Sequence, residues 1–218
     1  MNNERSTIAA IVLAGGQSSR MGRDKALISI EGVPLIQHVC EVAGDCANTV
    51  YVVTPWPERY QDILPNNCFL VREVQSISET KPHGPLLGFA QGLSSILSEQ
   101  EKNSAINSKS DRWVLLLACD LPKLQSSLLQ NWVDRLDTVE EDAIAFLPRN
   151  ANKGWEPLCG FYRLSCLPLL TEFSDRGGRA FQPWLAQHIV RELPLTEQDM
   201  LFNCNTPADL AAIDRVIS

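Results

Sequence analysis

The sequence of 218 residues lacks several features that would place it in large functional classes. No apolar run approaches the roughly 20 residues that a membrane-spanning helix needs, and residues 1–7 lack the apolar stretch of a signal peptide. The basic residues are spread along the chain rather than gathered in runs, and the formal net charge is -7. A broad basic surface is therefore absent, and we expect no binding to nucleic acid or to a membrane.

Cysteine pairs at metal-ligand spacing are also absent. The seven cysteines are an odd number, and none of them belongs to a C-x-x-C motif. Several lie within apolar runs, which favours reduced thiols in the core over disulfides or a zinc site. Reduced thiols, together with the absence of a signal peptide, lead us to expect a cytoplasmic protein.

What the sequence does contain is an alternation of short apolar runs and helical spacing. The patterns predict strands over residues 8–14, 49–54, 69–74, 113–118 and 143–147, and helices over residues 35–43, 86–97, 126–139 and 207–217. Residues 98–112 are polar and are predicted as a surface loop. Apolar strands separated by helices are typical of a parallel sheet covered on both faces. We therefore predict one α/β domain over residues 1–218, with a doubly wound, mostly parallel, Rossmann-like sheet.

A glycine-rich loop, residues 13–25, follows the first predicted strand directly. Gly15 and Gly16 let the backbone approach a ligand and leave amide groups for phosphate oxygens, while Arg20 and Lys25 add positive charge. An ordinary strand-to-helix turn with solvated charges is the alternative. The combination of glycines, hydroxyls and cations favours phosphate binding. Because the spacing is neither G-x-x-x-x-G-K-[ST] nor G-x-G-x-x-G, a P-loop ATPase and a dinucleotide dehydrogenase are both disfavoured.

Asp120 is the second candidate, because it comes just after the predicted strand at residues 113–118. A carboxylate at the carboxyl end of a parallel strand faces the same crevice as the glycine loop. Mg²⁺ binds through one or two carboxylates together with substrate phosphate oxygens and water, so a single aspartate suffices. The other role open to Asp120 is that of a helix N-cap or turn residue before Pro122. The two strand ends together favour a magnesium site.

Residues 13–25 read Leu-Ala-Gly-Gly-Gln-Ser-Ser-Arg-Met-Gly-Arg-Asp-Lys, which resembles the signature loop of the molybdenum cofactor guanylyltransferases (MobA). Residues 119–122 resemble the Cys-Asp-x-Pro motif of the same family, whose aspartate binds magnesium. The resemblance implies transfer of GMP from GTP to the phosphate of molybdenum-molybdopterin, with Mg²⁺ as cofactor and release of pyrophosphate. It further implies that the N-terminal half of the domain binds the nucleotide and the C-terminal half binds the acceptor.

The resemblance also implies roles for individual residues. Lys25 and Asp120 would stabilise the transition state, Asp120 by holding the metal, and Arg20 would hold the leaving pyrophosphate. Nucleotide contacts are implied for Leu13, Ala14, Gly15, Gly16, Lys25, Glu73, Gly84, Pro85, Leu86 and Asp120. Glu73 is the candidate to replace an aspartate that the family usually carries. Acceptor contacts are implied for Glu156, Arg179, Asn203 and Asn205.

Several alternatives stay open on the sequence alone. A related enzyme would use CTP, which the Gly15 position disfavours, or a sugar or polyol phosphate as acceptor. A non-catalytic protein could instead deliver the cofactor, and the implied partners are molybdenum cofactor biosynthesis proteins and molybdoenzymes. Asp24 either orients Lys25 or is a surface charge.

Overall fold

The computed structural model describes residues 8–15, 24–74, 84–102, 112–150, 153–195 and 198–204. Strands and helices alternate along this part of the chain. In chain order they are β1 (Ala9–Leu13), β2 (Ser29–Ile30), β3 (Val33–Pro34), α1 (Leu35–Cys46), β4 (Thr49–Thr54), β5 (Cys68–Arg72), α2 (Pro85–Lys102), β6 (Trp113–Ala118), α3 (Ser126–Val133), β7 (Ala145–Leu147), β8 (Arg149–Asn150), β9 (Gly154–Trp155), β10 (Cys159–Arg163), α4 (Leu167–Asp175), α5 (Phe181–Leu185) and β11 (Val190–Glu192).

Seven of the strands form one sheet in the order β11-β7-β10-β6-β1-β4-β5. Every neighbouring pair is parallel except the two pairs that β10 makes, with β6 and with β7. The predicted α/β fold with a mostly parallel sheet is therefore confirmed. After β1 the chain adds β4 and β5 on one side and β6 on the other, so the strand order reverses at β1.

Helices cover both faces of the sheet, as predicted. Along β1, Ala10 and Val12 belong to a core cluster on the face of α1 and α3. Ile11 lies between them and belongs to the opposite cluster, with α2, α4 and α5. Because β1 is buried on both faces, its run of apolar residues does not alternate with polar ones. No helix in the described ranges is both long and apolar enough to cross a membrane.

Three predicted helix ends were wrong. α1 continues to Cys46, three residues past its predicted end. α2 continues to Lys102, so residues 98–102 of the predicted loop are helical; their side chains are polar because this end of the helix faces solvent, where Lys102 pairs with Glu99. α3 ends at Val133, and the chain continues in a 3-10 turn, Leu136–Thr138, that carries Leu136 into the core. The predicted helix at 207–217 lies outside the described residues. Sequence patterns missed β10 and β11, and the small antiparallel pairs β2–β3 and β8–β9.

α2 approaches the sheet closely at Gly92. A Cβ atom there would lie 2.8–3.1 Å from three side-chain atoms of Ile11 in β1. Ile11 is fully buried and β-branched, so it has no rotamer that moves away cheaply. In α1, by contrast, a Cβ on Gly44 would meet only the amide end of the partly exposed Asn67 side chain, which can turn aside.

We expect Gly92→Ala to lower stability and Gly44→Ala, its matched control, to preserve or raise it. Each change gains up to about 1 kcal/mol of helix propensity, but overpacking at Gly92 costs about 1–3 kcal/mol. In thermal unfolding, the Tm of Gly92→Ala should fall below that of Gly44→Ala by about 2–4 °C or more. Equal Tm values for the two variants would show that α2 does not press on β1 at this position.

Candidate active site

A cavity of about 250 Å³ opens where β1, β4, β5 and β6 end. Its lining comes from those strand ends, the start of α2, the 3-10 turn Lys25–Leu27 and the residue before β10. In open α/β sheets ligands bind at this edge, at the point where the strand order reverses. The lining residues are Leu13, Ala14, Gly15, Asp24, Lys25, Ala26, Val53, Glu73, Gly84, Pro85, Gly88, Ala118, Cys119, Asp120 and Leu158.

Backbone hydrogen bonds continue the sheet past the strand ends and so fix the cavity wall. The Ala14 amide donates to Val53 O (2.9 Å), and the Cys119 amide donates to Leu13 O (3.2 Å). On the other side of β4, the Glu73 amide donates to Thr54 O (2.8 Å). These bonds bring the predicted site residues Gly15, Glu73 and Asp120 to one wall, although they are distant in sequence.

Asp120 lines the cavity on a turn that follows β6. Burial raises the pKa of its carboxyl group, and the positive charge of nearby Lys25 opposes that shift only in part. Its backbone carbonyl accepts a hydrogen bond from the Cys204 amide (3.1 Å), which holds the turn from the other side. The N-cap role is wrong, because α3 begins only at Ser126 with Gln125 at its cap position.

The donor set at Asp120 fits a hard cation such as Mg²⁺. A largely buried carboxylate whose ionised form is disfavoured by burial gains from a cation beside it. In the described ranges, no group of three or more His, Cys, Asp or Glu side chains could hold an ion. An ion on Asp120 would therefore take its remaining ligands from substrate oxygens and water, as Mg²⁺ commonly does.

Lys25 and Asp24 begin the 3-10 turn on the cavity wall. The Asp24 carboxylate accepts from the Ala26 amide (3.1 Å), from the Tyr60 hydroxyl (2.8 Å) and from Arg59 Nη1 (3.2 Å). Only 17% of the Asp24 side chain is exposed, so Asp24 is not a solvated surface charge. Sequence reasoning missed Tyr60 and Arg59, because nothing in a spacing of about 35 residues indicates such a contact.

Glu73 lies directly against Gly15. A Cβ atom on Gly15 would be 2.6 Å from Glu73 Oε2 and 3.2 Å from Pro55 Cδ. A Cβ atom on Gly15 would therefore displace the carboxylate end of the Glu73 side chain from its present position. The structure places Glu73 inside the cavity, although its role there stays a prediction.

The structure brings only some of the other candidate residues to the cavity. Gly84 and Pro85 line the cavity at the start of α2, whereas Leu86 is 1% exposed, packs into the core and does not line the cavity. Cys119 lines the cavity with its thiol protonated, since burial raises its pKa. Gly16 and Arg20 lie outside the described residues.

A second, smaller cavity of about 100 Å³ adjoins the first and shares Leu158 with it. It brings together two acceptor candidates, Glu156 and Asn203, and burial raises the pKa of Glu156. Arg179 is exposed beside the cavities: its Nη1 donates to Ser174 O (2.7 Å) and Gly178 O (2.8 Å), and its own carbonyl lies 3.0 Å from where a Gly84 Cβ would be. The fourth candidate, Asn205, lies outside the described residues.

Comparison with known proteins agrees with this geometry. Residues 10–192 match the family described as "MobA-like NTP transferase domain". The chain belongs to this family. The assignment that the glycine loop and the Cys-Asp-x-Pro motif indicated is therefore confirmed.

MobA-like relatives match along almost the whole chain. A protein of Nostoc sp. named "Probable molybdenum cofactor guanylyltransferase" is 56% identical over 98% of this chain and 91% of its own length. A Synechococcus elongatus protein of the same name is 40% identical over 94% of this chain and 97% of its own. The crystal structure of molybdopterin-guanine dinucleotide biosynthesis protein A from Archaeoglobus fulgidus has the same fold, with a TM-score of 0.72 and 20% identity over 96% of this chain and 98% of that one.

We expect Asp120→Asn to raise the Tm at neutral pH in buffer that contains a chelator. Burial raises the pKa of Asp120, so above that pKa the folded state carries a charge that the unfolded state solvates better. As the pH falls through the raised pKa, the wild-type carboxyl becomes neutral and the two Tm values should converge. Asp62→Asn, at an exposed carboxylate, is the matched control and should leave Tm unchanged. A lower Tm for Asp120→Asn at neutral pH would contradict the burial account.

Proposed function

We propose that the chain transfers GMP from GTP to the phosphate of molybdenum-molybdopterin, giving the guanine dinucleotide form of the cofactor and pyrophosphate. The observation that carries the proposal is the convergence of Gly15, Lys25 and Asp120 on one cavity that adjoins a second cavity. Relatives up to 56% identical, which are named as probable molybdenum cofactor guanylyltransferases, support the choice of substrates.

The reaction needs no protein nucleophile. An oxygen of the acceptor phosphate attacks the α-phosphorus of GTP; a new P–O bond forms, the bond to the bridging α,β oxygen breaks, and pyrophosphate leaves with the electron pair. The protein contributes position and charge. Cys119 is the thiol on the cavity wall, and burial raises its pKa, so it stays protonated and unsuited to attack.

Positive charge on the cavity wall comes from Lys25. Its ammonium group would lie against the triphosphate and offset the charge that develops on the phosphate oxygens. Asp120 would hold Mg²⁺, and the ion when bound would neutralise the same oxygens and orient the triphosphate. Arg20, on the same glycine-rich loop, would hold the pyrophosphate. The opposite charges of Lys25 and Asp120 already interact. The positive charge of Lys25 lowers the pKa of Asp120 and so opposes the effect of burial.

Guanine would lie beside Glu73 and Gly15. The Watson–Crick edge of guanine carries two adjacent N–H donors, and a carboxylate with two oxygens can accept from both. Cytosine offers one such donor group on its corresponding edge, so a carboxylate at this position favours guanine. Glycine at position 15 leaves the Glu73 carboxylate in its present position, because a Cβ atom there would lie 2.6 Å from Oε2.

The acceptor would occupy the smaller cavity, with its phosphate directed past Leu158 toward the first. Glu156 and Asn203 line that cavity, and the side chains of both can hydrogen-bond the edge of a pterin ring. Asn205 and Arg179 are proposed to complete the acceptor site. The protein is proposed to act in the cytoplasm with other molybdenum cofactor biosynthesis proteins and with molybdoenzymes as partners.

The proposal is tested by presenting GTP, CTP, ATP and UTP separately with molybdenum-molybdopterin and measuring pyrophosphate release. We expect a strong preference for GTP, loss of activity when a chelator removes the metal, and a fall of at least about 100-fold for Lys25→Ala and Asp120→Ala, since charge stabilisation of the transition state is lost. A preference for CTP would contradict the guanylyl assignment. If Asp120→Ala still supported guanine-dinucleotide-dependent enzymes fully in a cell, a delivery role would replace catalysis.

We expect Glu73→Gln to weaken selection of guanine specifically. The change keeps the size of the side chain but replaces one acceptor oxygen with a donor, so one N–H of guanine faces another N–H group. An unpaired donor costs about 1–3 kcal/mol, which corresponds to a rise of roughly 5–150-fold in KM for GTP. The KM for ATP, measured in parallel, should change little. An unchanged KM for GTP would remove Glu73 from base recognition.

A further inference from the structure

The 3-10 turn that carries Lys25 is held by very few contacts within its own segment. Its backbone makes two short-range bonds, from the Leu27 amide to Asp24 O (3.3 Å) and from the Ile28 amide to Lys25 O (3.1 Å). The Asp24 carboxylate adds a cap through the Ala26 amide (3.1 Å). A three-residue 3-10 turn has few hydrogen bonds of its own, so the contacts that hold Asp24, the residue before Lys25, contribute to the position of Lys25.

Asp24 is held from a different part of the chain, the segment after β4. The hydroxyl of Tyr60 donates to Asp24 Oδ2 over 2.8 Å, and Arg59 Nη1 donates to the same oxygen over 3.2 Å. Tyr60 is 1% exposed, and its ring packs in the core cluster of α1 and α3. The hydroxyl therefore projects from a rigid base, which makes this hydrogen bond to a charged acceptor effective.

The Arg59 contact is supported as well, although it is less buried. Its guanidinium stacks on the Trp56 ring at 4.2 Å, and the Trp56 amide donates to the hydroxyl of Thr54, the last residue of β4. The end of β4 is thus connected through this segment to the turn of Lys25. Because 45% of the Arg59 side chain is exposed, its ion pair with Asp24 is the weaker of the two contacts.

We infer that Tyr60 is a positioning residue for the nucleotidyl transfer: its hydroxyl fixes the Asp24 carboxylate, and Asp24 in turn fixes the turn that aims Lys25 into the cavity. The inference rests on the proposed function for its catalytic meaning. It also assigns a role to Asp24. With three donors already on its two oxygens, Asp24 is held in place by the protein and in turn orients Lys25.

The expected effect on the rate follows from the proposed role of Lys25, which is to place positive charge beside the substrate phosphates. A charge that stabilises the transition state loses much of its effect when it is displaced, and a displacement of about 1 Å can cost on the order of 100-fold in rate. Without the Tyr60 hydroxyl, the Asp24 carboxylate keeps only two of its three donors, and its Oδ2 can pair with Lys25 and reduce the positive charge offered to the substrate. Both effects lower kcat more than they raise the KM for GTP.

The test is Tyr60→Phe, which removes the hydroxyl and keeps the ring. We expect kcat to fall about 10–100-fold with a much smaller change in KM. Tyr51→Phe is the matched control: it makes the same change at a buried tyrosine of β4 whose ring faces the opposite core cluster. It should leave kcat unchanged. An unchanged kcat in Tyr60→Phe would overturn the inference.

A double-mutant comparison separates positioning from a general loss of structure. If Tyr60 acts through Lys25, adding Tyr60→Phe to Lys25→Ala should lower the residual rate little further. A drop as large as in the wild-type background would show that Tyr60 acts on the fold and would overturn the inference.

Amide hydrogen exchange tests the same contact without any activity measurement. The amides of residues 26–28 should exchange faster in Tyr60→Phe than in wild type, while those of β1 stay protected; unchanged exchange at 26–28 would overturn the inference. If the wild-type protein transferred no nucleotide, the proposed function would fail, and this measurement would still decide whether Tyr60 holds the turn.

Discussion

The pairing of β1 with β4 on one side and β6 on the other is the constraint on which the site depends. In both pairings the register ends at the same place, with Leu13 opposite Val53 and opposite Ala118. Parallel strands in matched register bring their carboxyl ends to one edge of the sheet. The polypeptide therefore leaves the sheet at that edge after each of the three strands. The glycine loop, the segment that leads to Tyr60 and the turn of Asp120 are those three exits, so their side chains meet although they are far apart in sequence.

This arrangement gathers charge where burial makes charge costly. Lys25, Asp24, Glu73 and Asp120 all line one cavity, and burial raises the pKa of Asp120 even though a lysine lies near it. If the site receives a polyphosphate and a cation, as proposed, it is not at its electrostatic optimum without them. Asp24 differs from the others, because three donors satisfy it within the protein. Hydrogen bonds within the protein therefore offset the desolvation of the Asp24 carboxylate. At Asp120 the desolvation is offset only in part, by the charge of Lys25.

The sequence was sufficient for the parts of the fold that local pattern determines. The central strands β1, β4 and β6 are buried on both faces, so they read as uninterrupted apolar runs, and their bounds were predicted within two residues. The glycine loop and Asp120 were recognisable because each directly follows such a run. Tyr60 and Arg59 were not, since their role depends on a contact across about 35 residues that leaves no periodic signal. The end of α2 was misjudged because a solvent-facing helical turn and a polar loop have similar composition.

The missed strand β10 explains how the second half of the chain reaches the site. β10 is antiparallel to β6, with Cys159 opposite Leu117, so its first residue and not its last lies at the edge where β6 ends. The residues that precede β10, Glu156 to Leu158, are thereby delivered to the cavity edge. A parallel strand in that place would have presented the residues after Arg163 instead. One reversed strand therefore lets an otherwise parallel sheet place two cavities side by side, those proposed for the nucleotide and for the acceptor, with Leu158 in the wall of both.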